Sequence, residues 1–140
     1  MKQYAINEKT ILFGTFEELN VPKGVLCYAA VTRDLFNENT YYIAYDKYFT
    51  ELSPMSQKFL IYHEMGHIEN GDFDMSFSDI NKMNFSRIFG ITNKIEFNAD
   101  KYAISKTGKK AALKCFIEMK QKNRGTSLMD LINRAIAVIF

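Results

Sequence analysis

Both histidines of this 140-residue chain fall within one short segment, SPMSQKFLIYHEMGHIENG, residues 53–71, and no other stretch constrains the fold as much. Ser53 followed by Pro54 has the form of a helix N-cap with proline at the first helical position, where a missing N–H costs nothing. Asn70-Gly71 is the matching stop, because the residue just past a helix often turns left-handed, a conformation glycine adopts without strain. These signals predict a helix of about four turns that carries Met55, Phe59, Leu60, His63 and His67 along one side. Residues four apart on a helix stand one above the other. His63 and His67 therefore present two imidazoles to a single point, while Glu64 projects beside them.

The surroundings predict the layers this helix joins. VLCYAAVT (residues 25–32) and TYYIAYD (residues 40–46) are short, rich in β-branched and aromatic residues, and bounded by PKG and NEN, which is the pattern of strands. Further helices are expected over residues 79–89 and from Asn93 to Thr107, the latter closing at Gly108. KKAALKCFIEMKQK then sets Leu113, Phe116 and Ile117 on one face, and SLMDLINRAIAVIF sets Leu128, Leu131, Ile132, Ala135 and Ile139 on a stripe. Asp130, Asn133 and Arg134 interrupt that last segment, which marks a docked core helix rather than a membrane anchor. Strands first and helices after them give an α+β domain, single over residues 1–140, long enough to bury a core without covalent staples.

Charge and hydropathy narrow the partners. A formal net charge of +2 from intermixed signs gives no basic face for nucleic acid or for an anionic membrane. No apolar run approaches the roughly 20 residues that span a bilayer, and MKQYAINEKTILFG lacks the apolar segment of a signal peptide. The expectation is a cytoplasmic protein with no membrane insertion. Cys27 and Cys115 are far apart and lack CxxC spacing, so both are expected as free buried thiols.

The chemistry lies in His63-Glu64-Met65-Gly66-His67, an HExxH pattern. Two neutral imidazoles are good zinc ligands, and a catalytic zinc takes three protein ligands and keeps one position for water. With no other histidine in the chain, the third ligand must be a carboxylate or a thiolate from a second element. EFNAD, residues 96–100, supplies Glu96 and Asp100 one helical turn apart. Glu96 is the expected third ligand. Asp100 is expected to accept the ring N–H of His63 and so fix its orientation, with small Ala99 letting the two helices approach. Asp72 and Asp74, in GDFD, read as a solvated loop.

HEMGHIENGD followed by ExxAD resembles the gluzincin metallopeptidases, in two of their groups. The order of strand, connection and zinc helix in NTYYIAYDKYFTELSPMSQKFLIYHEMGHIENGD is similar to that of the HtpX and CAAX-prenyl-protease type enzymes, as is ADKYAISKTGKKAALKCFIEMK to the segment after their third ligand. The ImmA/IrrE-like proteins share the HExxH pattern and a short interval before the downstream Glu. The likeness covers residues 39–120. It implies a minimal soluble zincin-like domain, with a short antiparallel or mixed sheet packed on the HExxH helix and a Glu-bearing helix, and further C-terminal helices. It also implies one Zn2+ per chain and an endopeptidase acting on a peptide or protein substrate, in which Glu64 is the general base for metal-activated water. Two other functions fit the same residues. One is an ImmA/IrrE-like regulatory peptidase dedicated to one protein partner; the other is a catalytically silent zinc-binding interaction module, against which the intact Glu64 argues. Peptidases of this type add a second electrophile for the oxyanion from His, Tyr or Arg, which leaves Tyr102, Arg87, Arg124 and Arg134. In the resembling enzymes the strand before the zinc helix edges the cleft and pairs with extended substrate. Here that role falls to Asn39–Tyr45, with Tyr41, Tyr42, Ile43 and Ala44 at its centre.

Overall fold

A computed structural model describes residues 2–21, 28–34, 36–72, 85–122 and 128–139. The chain opens on a hairpin that sequence patterning does not single out. β1 (Lys2–Ile6) and β2 (Lys9–Thr15) pair antiparallel with Ile6 opposite Lys9, so the loop has only two residues. Asn7 and Glu8 both take positive φ, 48° and 67°, as the tightest hairpin turns require to match strand twist. β3 (Ala29–Arg33) and β4 (Thr40–Tyr45) complete a four-stranded mixed sheet in the order β1-β2-β4-β3, with β2 and β4 parallel and the other pairs antiparallel. Of the segment expected as the first strand, residues 25–27, including Cys27, lie outside the described residues.

This order corrects one expectation. β4 is bonded on both sides, to β2 through Thr40–Tyr45 and to β3 through Tyr41–Tyr45, so Tyr41, Tyr42, Ile43 and Ala44 have no edge to offer a substrate. β-branched and aromatic residues suit a central strand as well as an edge. What decides between them is the parallel pairing with β2, a contact across about thirty residues that no local pattern announces. β3 stands at the end of the sheet order instead.

A 3-10 turn (Lys47–Glu51) leads into α1 (Pro54–Glu69). The Ser53 hydroxyl accepts the Ser56 N–H, and the Glu118 carboxylate reaches over to accept from the Ser53 N–H (2.9 Å), the Ser53 hydroxyl (2.7 Å) and the Ser56 hydroxyl. The helix start is thus fixed by side chains where backbone partners are missing. α1 is a core helix on two flanks. Met65 and Ile68 pack on Ile11, Tyr41 and Ile43 of the sheet, while Phe59 and Leu60 pack on Ala112, Cys115, Phe116 and Met119.

α2 (Phe85–Thr107) is one unbroken helix of 23 residues, not two with a break near residue 90. Gly90 lowers helix propensity by only about 1 kcal/mol, which is too little to end a helix that packing supports; residues 79–84 lie outside the described set. Gly108, at φ 91°, turns the chain into α3 (Lys109–Lys122), and α4 (Leu128–Ile139) follows. The apolar stripe of α4 is rotated from expectation. Leu131 and Val138 are buried, whereas Ile132 and Ile139 are exposed. Cys115 is a free buried thiol, its pKa pushed up to about 12 by that burial. Among the described residues no helix is long and apolar enough to cross a membrane.

Candidate metal centre

The approach of α1 to α2 begins with Gly66. A Cβ built there would lie 3.1 Å from the Cα and the carbonyl oxygen of Ala99 and from the Cβ of Tyr102. Only a glycine over an alanine lets the helix backbones come this near, and that approach brings the side chains flanking Ala99 onto those flanking Gly66. Glu96 and Asp100 accordingly meet His63 and His67.

His63 Nδ1 donates to Asp100 Oδ1 at 2.7 Å, and its Nε2 lies 3.0 Å from Glu96 Oε2. His67 repeats the arrangement with a different carboxylate. Its Nδ1 is 2.9 Å from Asp72 Oδ2, and its Nε2 is 3.4 Å from Glu96 Oε1. The two rings stand edge to face with centroids 4.9 Å apart. One ligand atom from each of His63, His67 and Glu96 lies within 4.8 Å of the other two, close enough to hold a metal ion.

The expected ligands and Asp100 are thus brought together, and Asp72 joins them against expectation. It is not a solvated loop residue: its side chain is 15% exposed and bonded to His67. Gly71, at φ 71°, reverses the chain after α1, and the Asp72 N–H returns to the His67 carbonyl at 3.1 Å. The Asn70-Gly71 stop announces that the chain reverses here, but not that the reversal carries Asp72 back to the last turn of α1. Asp74 lies outside the described residues.

The charges hold one another in place. Burial alone would depress the His63 imidazole, but the Asp100 and Glu96 carboxylates outweigh it and push its pKa up to about 9. His67 is likewise raised, with burial opposing and Glu96 prevailing. Burial raises carboxyl groups, yet Glu96 ends well below the usual carboxylate range because both imidazoles bond to it, and Asp100 is lowered by Arg134 and His63. Glu64 moves the other way: its burial outweighs the nearby histidines and lifts it. Glu64 is therefore set apart from Glu96 and Asp100 as the carboxyl group of the site whose hold on a proton is strengthened rather than weakened.

A cavity of about 450 Å³ opens over these groups, with His63, Glu64, His67 and Glu96 on one side and Ala29, Ala30 and Val31 of β3 on another. The strand that edges the cleft is therefore β3. Tyr28 and Met119, which sequence patterning leaves unassigned, also line it. Of the four oxyanion candidates, Tyr102 packs instead with Ile11 and Met65 on the sheet side of α1, under the Lys106 ammonium. Arg134 lines the cavity, but its guanidinium is committed to Asp100 through Nε (2.8 Å) and Nη2 (2.7 Å). The Arg87 side chain and Arg124 lie outside the described parts of the chain. Comparison of the chain with protein-family models, curated proteins and solved structures returns no match in any of the three.

Proposed function

We propose that this protein is a zinc-dependent peptidase of zincin-like design, with His63, His67 and Glu96 as metal ligands and Glu64 as general base. The observation that carries this is the approach of two Nε2 atoms and one carboxylate to one another at the lining of an open cavity, with a second acidic group, Glu64, buried beside them. The donor set fits the metal. Each Nδ1 is engaged by its own carboxylate, Asp100 or Asp72, so Nε2 is the ring atom turned toward Glu96 and would ligate once a metal ion displaces its proton. When bound, a zinc ion supplies Lewis acidity, polarising a carbonyl and acidifying water.

The chain's own residues supply the rest. Glu64 is not one of the three converging ligands, and its raised affinity for protons suits it to accept one from water and hand it to a leaving amine. β3 supports an extended peptide as the substrate. Among the described residues it ends the sheet, and small Ala29 and Ala30 at the cavity leave its backbone approachable for strand addition.

Metal analysis of the purified chain tests this proposal, together with cleavage of a mixed peptide library. About one zinc per chain, lost in His63→Ala, and cleavage that a chelator stops are the expected results. A chain that neither retains nor accepts zinc would overturn the assignment. A further expectation concerns Asp72. Asp72→Ala should weaken zinc about 10- to 100-fold, because the His67 ring loses what orients it. Competition against a chromophoric chelator measures this, and unchanged affinity would leave Asp72 without a part in the site.

A further inference from the structure

We infer that the docking of α4 and the loading of the metal centre form one coupled equilibrium, joined by Arg134 through Asp100. This rests on the metal-centre reading above. Among the described side chains, α4 meets the rest of the fold through Leu131, Arg134, Ala135 and Val138. Leu131 and Val138 are 4% and 5% exposed on its inner side, while Met129, Ile132, Ile136 and Ile139 on its outer side are 42% to 64% exposed. A helix with so little buried surface belongs to the part of a fold that opens first.

Arg134 also faces inward, and it is the link between that helix and the site. Its Nε donates to Asp100 Oδ2 and its Nη2 to Asp100 Oδ1, a two-point fork, while the guanidinium lies 4.8 Å from the centre of the Phe116 ring. Asp100 Oδ1 is at the same time the acceptor for His63 Nδ1. Asp100 is only 3% exposed, and a carboxylate at that depth is unfavourable unless paired. If α4 leaves, the guanidinium leaves with it. The Asp100 carboxylate then turns toward water or rotates about its own bond, and the imidazole it held loses the orientation that aims Nε2 at the ligand cluster. Arg134 thereby acts on the metal without touching it, as a positioning residue. The planar fork is what Arg provides; a lysine supplies the charge but not the two parallel bonds. Coupling of this kind is reciprocal, so a metal that gains affinity from docked α4 must hold α4 down by the same factor.

Three measurements on the full chain test it. Hydrogen exchange of residues 128–139 is read with and without saturating zinc, and zinc affinity is read for Arg134→Met, Arg134→Lys and Leu131→Ala. Zinc is expected to slow exchange in α4 by about 5- to 150-fold. Arg134→Met should lose about 10- to 100-fold in zinc affinity, Arg134→Lys should recover part of it, and Leu131→Ala, which touches no ligand, should also weaken zinc. The cobalt-substituted protein should show a changed visible spectrum in Arg134→Met, as a reoriented His63 requires. Exchange in α4 that ignores zinc overturns the coupling, and so do Arg134→Met and Leu131→Ala proteins that melt earlier yet bind zinc as tightly as the parent. If a variant fails to fold, the exchange measurement on the parent chain still decides. A parent chain that binds no zinc sinks the metal centre and this inference together, whereas one that binds zinc with unaltered exchange sinks only the coupling.

Discussion

Glu64→Gln is expected to retain zinc and lose turnover by about 10²- to 10⁴-fold, the usual contribution of a positioned acid–base group. The amide matches the carboxylate in size and shape, so the packing of α1 is preserved. What disappears is the ability to take a proton. Glu64 lies beside the three converging ligands rather than among them, so the metal should stay. Stability carries a separate signature. Glu64 is 9% exposed, and its burial works against its charge; an uncharged amide at that position should leave the melting temperature unchanged or raised. A group that is unfavourable for folding is accounted for by the part it would play in the proposed reaction. Turnover, zinc titration and thermal melts on the same preparation separate the cases. Equal turnover would show that the base is assigned wrongly, and loss of zinc along with turnover would make Glu64 a ligand.

The sequence exposes those parts of the site that depend on local geometry. The caps at Ser53 and Asn70, the turn at Gly71 and the four-residue spacing of His63 and His67 are properties of one helix. Glu96 and Asp100, one turn apart on α2, need only the further premise that two helices approach, which Gly66 and Ala99 supply. The parts that stay hidden depend on distant partners. β4 is a central strand because β2 pairs with it, and the hairpin that delivers β2 has no motif beyond two residues at positive φ. Arg134 reads in sequence as a polar interruption of an apolar stripe, equally suited to solvent, to an oxyanion or to a buried carboxylate. Only the placement of α4 against Asp100 distinguishes these. Asp72 is hidden for a subtler reason: aspartate after Asn-Gly is so common in solvated turns that its return to His67 is visible only when the direction of the reversal is known.

The interface of α1 and α2 should fail more completely than any single ligand would suggest. Replacing Gly66 by Leu is predicted to cost about 3 kcal/mol or more in stability, at the upper end of overpacking effects, and to remove zinc binding altogether. The Cβ alone would meet the Cα and carbonyl oxygen of Ala99 at 3.1 Å. These are backbone atoms inside a helix and cannot swing aside as a side-chain end would. α2 must therefore shift as a body, and it carries Glu96 on one side of Ala99 and Asp100 on the other, so ligand and supporting carboxylate move off His63 together. Gly66→Ala grades the effect. Alanine gains about 1 kcal/mol of helix propensity over glycine, which offsets part of the clash, so this variant should fold at nearly parental stability while binding zinc more weakly. Metal affinity would then fall before stability does, the order expected if the close approach of the helices exists to set the geometry of the site. If Gly66→Leu instead binds zinc normally and melts near the parent, α1 and α2 do not depend on this contact, and the placement of Glu96 must be fixed by some other part of the fold.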